Sequence, residues 1–148
     1  MKKVIIMRGV PGSGKSRWWA HKANTRDINA TVVSTDSYFQ DENGCYKFDK
    51  TKLTENHNRA LLDFLCRLND GFNLIVVDNT NTKVFEIAPY YRLAEAFGYE
   101  VEIVWVIADP EKCKARNVHG VPPETIDTMV KGVEALPPWW NVRVVVNG

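Results

Sequence analysis

The sequence predicts a three-layer α/β fold in which helices cover a mainly parallel, five-stranded sheet. Three observations carry this expectation. Short apolar runs alternate with segments of helical periodicity along the chain. Two of the runs, residues 4–7 and 74–77, are apolar at every position, as strands covered on both faces are. The first run leads into a glycine-rich turn and then a helix, the connection that parallel strands require.

The elements follow in order. Residues 4–7 form the first strand, and the glycine-rich turn spans residues 9–16. A helix carrying Trp18, Trp19 and Ala20 comes next. Residues 31–34 are a short second strand ending near Asp36. Residues 38–50 mix aromatics with Asp41, Asn43, Gly44 and Asp49 and read as a loop. A helix over about 51–69 places Leu61, Phe64, Leu65 and Leu68 on one buried face. Asp70-Gly71 ends it, and residues 74–77 are the third strand. Val84, Ile87, Ala88, Tyr91 and Ala94 have helical spacing, with Pro89 marking a start or a kink. Residues 101–107 are a fourth strand. Asp109-Pro110 opens a short basic helix through Arg116. Pro122-Pro123-Glu124 opens another, continued by Ile126, Met129, Val130 and Val133 up to Pro137-Pro138. Residues 142–146 are the last strand.

The length of 148 residues suits one domain. With 19 Lys+Arg against 18 Asp+Glu, no global charge attracts nucleic acid, so any polyanion site is local. No apolar run approaches bilayer length, and the apolar stretch at the N-terminus is too short for a signal peptide. Three cysteines without metal-ligand spacing argue against a disulfide framework or structural zinc. The chain reads as cytoplasmic, with no membrane and no protein partner implied.

Residues 9–16 fit GxxxxGK[ST], the Walker A or P-loop pattern, between a strand and a helix. Gly12, Ser13, Gly14, Lys15, Ser16 and Arg17 are the expected nucleotide-binding residues. The glycines let backbone N–H groups turn toward phosphate, and the helix N-terminus adds partial positive charge. Lys15 is expected at the β- and γ-phosphates and Ser16 at Mg²⁺. Asp78, ending an apolar strand, is a candidate second Mg²⁺ ligand or a strand-end cap. Asp36 is a candidate general base toward an acceptor hydroxyl or a turn cap. Ligands bind at the carboxyl ends of strands in such sheets, which groups Ser16, Asp36 and Asp78 on one rim. Arg116, in a basic stretch after the fourth strand, fits a lid that stabilises charge on a transferring phosphoryl group, or a solvated helix face. The absence of NKxD favours ATP over GTP.

Together these residues resemble the 5′-hydroxyl polynucleotide kinase domain of the bacteriophage type, within the P-loop kinases. The likeness covers nearly the whole chain. It rests on residues 9–16 with Trp18, on residues 34–38, on Asp78-Asn79-Thr80-Asn81, and on Arg116-Asn117 followed by Val121-Pro122. The fold class it implies is the three-layer P-loop kinase fold with a helical lid. It implies ATP and Mg²⁺ on Lys15 and Ser16, Asp36 as base on a 5′-hydroxyl, and Arg116 in the lid. The family carries an arginine directly after the tyrosine, where this chain has Phe39. It has a further lid arginine where His119 stands here, and usually a threonine at Arg17. The resemblance therefore implies kinase chemistry and leaves the acceptor open.

Tyr38 and Phe39 flank Asp36, and aromatics and lysines interleave over residues 38–52, a pattern suited to stacked bases and paired phosphates. Tyr38, Phe39, Thr80 and Asn81 are accordingly the expected acceptor contacts. Trp18 and Trp19 are expected at the core and helix surface, and Trp139-Trp140 at the end of the sheet. The leading function is an ATP-dependent kinase acting on a nucleic-acid end or a nucleotide. The alternatives are a kinase for a small molecule or modified DNA base, and a nucleotide-binding regulatory ATPase.

Overall fold

The structure, a computed structural model, describes residues 2–22, 29–38, 43, 49–117 and 120–147. The expected loop over 38–50, with Phe39, Tyr46, Lys47 and Phe48, lies largely outside these residues, as does His119.

The sheet has five strands: β1 (Lys3–Arg8), β2 (Ala30–Val33), β3 (Leu74–Asp78), β4 (Glu100–Ala108) and β5 (Val142–Asn147). Their spatial order is β2-β3-β1-β4-β5, and every pairing is parallel. Side chains alternate between faces along a strand. Val4 and Ile6 of β1 therefore join one core and Ile5 and Met7 the other. The first face is covered by α2 (Leu53–Asp70) and α3 (Val84–Ala96), through Ala60, Phe64, Leu68, Ile87, Tyr91 and Ala94. The second is covered by α1 (Lys15–Lys22), through Trp18 and Trp19. A third, smaller cluster of Val10, Cys113 and Ile126 packs α4 (Pro110–Arg116) and α5 (Pro123–Lys131) against the turn after β1. These layers match the expected three-layer fold, with α4 and α5 in the position of the lid.

Local signals explain most boundaries. Gly71 takes φ +77, and its N–H bonds back to Arg67 and Leu68 carbonyls, closing α2. The Asp109 carboxylate accepts from Glu111 N–H at 3.0 Å and caps α4. The segment expected as loop begins and ends in short 3-10 turns, Thr35–Tyr38 and Lys50–Lys52, the second capped by Asp49.

One helix keeps its expected start and another ends early. Helix α3 begins at Val84, the first residue of the expected spacing, and carries Pro89 inside. Its start is fixed by Glu86, whose Oε1 accepts from Lys83 N–H at 3.0 Å, half of a capping box, since the lysine side chain cannot accept in return. Helix α5 stops at Lys131 although the apolar spacing continues to Val133. The chain turns at Gly132 because Glu134 N–H donates to Thr82 O at 2.9 Å.

That tie has a buried cation beneath it. Arg8, fully buried at the end of β1, donates to Thr82 O at 2.9 Å and to Glu134 O. Its guanidinium lies 4.6 Å from the Trp105 ring centroid. Burial pushes its pKa down, and the carboxylates of Glu134 and Glu86 push it back up. The tryptophan pair near the end of the sheet divides: Trp140 stacks on Tyr91 at 4.8 Å, while Trp139 is exposed. No helix among the described residues is long and apolar enough to cross a membrane.

Candidate active site

The strand order reverses direction on either side of β1, and at such a point the loops leaving the carboxyl ends diverge and leave a crevice. Here the crevice is a cavity of about 340 Å³. Its floor is the turn between β1 and α1. Gly12 at φ +80 and Gly14 at φ +101 occupy left-handed backbone that other residues adopt only with strain. Gly12 also has no room for a side chain, because an added Cβ would lie 2.1 Å from Cys113 O. The turn is held from three sides. Gly9 N–H donates to Thr80 O at 3.0 Å, Asn147 Nδ2 donates to Ser13 O at 2.9 Å, and Val10 packs on Cys113 and Ile126.

Lys15 Nζ donates to Val10 O at 3.3 Å, folded over its own loop. Burial pushes the ammonium pKa down; Asp78 and then Asp36 oppose this. Both carboxylates therefore act on the same lysine. Asp78 Oδ2 accepts from Ser16 Oγ at 2.8 Å and from Trp19 Nε1 at 2.8 Å. Asp36 also lines the cavity, on the 3-10 turn after β2, and Tyr38 ends that turn. Arg17, Thr80 and Arg116 complete the rim, and Arg116 is exposed at the end of α4.

The structure thus brings Gly12, Gly14, Lys15, Ser16, Arg17, Asp36, Asp78, Thr80 and Arg116 to one cavity. Two expected residues stand elsewhere. Ser13 is a buried residue of the loop itself, and Asn81 is buried with its Nδ2 donating to Met7 O at 2.8 Å. Asn81, at φ +50, pins the segment after β3 onto β1, so its amide is spent on the scaffold and does not reach the cavity.

Other residues carry weight that sequence reasoning did not give them. Trp19 bonds the Asp78 carboxylate, and its position three residues after Ser16 on one helix was the available signal. Leu53 and His57, one turn apart on α2, line the wall near Asp36. Asn147 reaches the loop from the far edge strand, and nothing in the sequence announces that contact.

Residues 4–134 match the family model described as AAA domain. The chain belongs to this AAA-domain family. It is 35% identical over 136 residues to human NEDD4-binding protein 2, across 86% of this chain and 7% of that protein. The chain thus spans under a tenth of that relative's length. Among solved structures, this AAA domain is similar to a chain of the Pnkp1/Rnl/Hen1 RNA repair complex, with TM-score 0.70 and 16% identity, covering 89% of this chain and 44% of that one. It is also similar to the Mycobacterium tuberculosis APS kinase CysC, solved with AMPPNP and APS, with TM-score 0.63 and 18% identity, covering 98% of this chain and 88% of that one. The AAA domain has the P-loop kinase fold.

Proposed function

We propose that this AAA domain, read as one kinase unit over residues 1–148, is an ATP-dependent phosphotransferase. It moves the γ-phosphate to a hydroxyl of a nucleic acid or nucleotide, with a 5′-hydroxyl end as the acceptor. One observation carries the reading: a phosphate loop, carboxylates from two neighbouring strand ends and a lid cation line one cavity.

The loop N–H groups and Lys15 hold the triphosphate. Asp36, lining the same cavity as the loop, accepts the proton of the attacking hydroxyl. Arg116 lies at the rim, where a lid movement brings it over the transferring group. Tyr38, Phe39 and Thr80 are assigned to the acceptor, with Phe39 outside the described residues.

Ser16 Oγ and the Asp78 carboxylate are hard oxygen donors beside the loop, a set that fits Mg²⁺ completing its shell with water and phosphate. When bound, Mg²⁺ neutralises charge on the β- and γ-phosphates.

The resemblance to 5′-hydroxyl kinases supports a nucleic-acid end as acceptor, as does likeness to a chain of an RNA repair complex. The likeness to APS kinase over 98% of this chain supports a small-molecule acceptor as the second reading.

The test is transfer of γ-labelled phosphate from ATP and Mg²⁺ to 5′-hydroxyl DNA, 5′-hydroxyl RNA and 3′-nucleotides, with Lys15→Ala as the blank. Label on an oligonucleotide, absent with the blank, supports the first reading. Label on none, with ATP binding intact, moves the acceptor to small molecules. Asp36→Asn is expected to lower transfer by roughly 10²–10⁴-fold while ATP still binds. Full transfer by that variant removes Asp36 as base.

A further inference from the structure

Asp36 sits on a four-residue 3-10 turn, Thr35–Tyr38. Such a turn contains few hydrogen bonds of its own, so contacts from outside decide where its side chains stand. Asp36 N–H donates to Ser34 Oγ at 3.2 Å, which closes the turn locally. A contact that ties it to the rest of the site comes from Asn79. Asn79 Oδ1 accepts from Thr35 N–H at 2.9 Å and from Thr35 Oγ1 at 3.0 Å.

Both residues are buried, each 7% exposed. Asn79 directly follows Asp78, and Thr35 directly precedes Asp36. A single amide oxygen therefore links the residue beside the candidate metal-site carboxylate to the residue beside the candidate base. Asn79 Nδ2 has no partner among the described residues, so its bonds in this structure are those that Oδ1 makes to Thr35. The side-chain type is also informative. An aspartate could accept the same two bonds, but it would add a carboxylate to a cavity that already holds Asp36 and Asp78 and must take a triphosphate. Asparagine supplies the acceptor without the charge.

We propose that Asn79 is a positioning residue for Asp36: by holding both donors of Thr35 it sets the distance between the base and the phosphate loop. This rests on the kinase reading, which gives Asp36 its role. A purely structural Asn79 would predict that its loss weakens folding, nucleotide binding and turnover together.

Three variants separate the possibilities. Asn79→Leu keeps the approximate shape and removes the acceptor. Thr35→Val keeps the shape of threonine and removes one donor. Thr35→Ser keeps both donors and serves as the conservative rescue. The readouts are kcat, acceptor KM, ADP affinity, and hydrogen exchange of the Thr35 amide with the Ile75, Val76 and Val77 amides as internal reference.

Asn79→Leu is expected to lower kcat on the order of 100-fold, the scale of a 1 Å misplacement. Its ADP affinity should stay within about threefold of wild type. Thr35→Val should fall between, and Thr35→Ser should match wild type. The Thr35 amide should exchange faster in Asn79→Leu while the β3 amides stay protected. The proposal is overturned if Thr35→Val and Asn79→Leu both keep kcat within about twofold, or if kcat and ADP affinity decline in parallel. Should Asn79→Leu fail to fold, the Thr35→Val and Thr35→Ser pair decides. If wild type transfers phosphate to no acceptor, the kinase reading itself fails. The exchange data still decide the clamp, and unchanged Thr35 protection in Asn79→Leu overturns it.

Discussion

Replacing Gly12 by alanine tests how closely the phosphate loop is held against the lid. Two costs combine. The residue has φ +80, and placing a side chain there costs about 1–3 kcal/mol. The added Cβ would also stand 2.1 Å from Cys113 O, 2.9 Å from its carbonyl carbon and 3.0 Å from its Cα. A carbon–oxygen contact normally sits near 3.3 Å or beyond, so a separation of roughly 1 Å must be found. The neighbour is backbone of α4 and cannot rotate aside, so the loop or the lid helix moves, at a cost typical of overpacking, about 1–3 kcal/mol. Together these make about 2–6 kcal/mol. If even the lower figure falls on the binding-competent loop, nucleotide affinity drops by roughly 30-fold. The assay is calorimetric titration of Gly12→Ala with ADP and Mg²⁺, alongside thermal unfolding. Gly98→Ala is the control: φ there is +78 with nothing within 4 Å, so it carries the backbone cost without the clash. ADP binding by Gly12→Ala within about threefold of wild type would refute the reasoning.

Trp19→Phe keeps the ring packing and removes the indole N–H from Asp78. A hydrogen bond to a charged group is worth about 1.5–3 kcal/mol, and this partly buried one belongs at the lower end, so calorimetry should show a Tm drop of several degrees. The same variant should need more Mg²⁺ to reach full ADP affinity, and an unchanged Mg²⁺ dependence would deny Trp19 a role at Asp78. Burial lowers the Lys15 pKa below its ordinary value, so the desolvation cost is fully present below the lowered value. As pH rises through it, folded Lys15 loses its proton while the unfolded chain keeps one, and nucleotide-free stability should rise. Thermal melts of wild type and Lys15→Met across that range check the sign, because the variant should lose this increment.

The sheet was legible because its central strands are covered on both faces, which forces residues 4–7 and 74–77 to be apolar throughout. The phosphate loop was legible because its backbone needs glycine where φ is positive. Asp36 and Asp78 followed from one rule, that strands of a parallel sheet deliver their carboxyl ends to a common rim. What escaped were contacts made by single side chains across long sequence separations. Arg8 ends an apolar run and would ordinarily point to water, yet it is buried against Trp105 with carbonyls from two distant segments. Asn81 carries the polar type expected of a ligand contact but spends its amide on Met7 O. A helix boundary slipped where a tertiary bond overrode apolar spacing, as at Glu134.

These long-range contacts also make the lid and the loop parts of one mechanical unit. Helix α4 meets the loop at Gly12 and Val10, and Lys114 of α4 pairs with Asp127 of α5 at 2.9 Å. The segment leaving α5 returns to Arg8, the residue directly before the loop, through Glu134 O. Helices α4 and α5 are therefore fastened to β1 and to the loop that follows it. Movement of α4 as a whole would open the contact between Gly12 and Cys113. The loop and α4 are accordingly packed as one unit at Gly12, and the Gly12→Ala titration tests that contact.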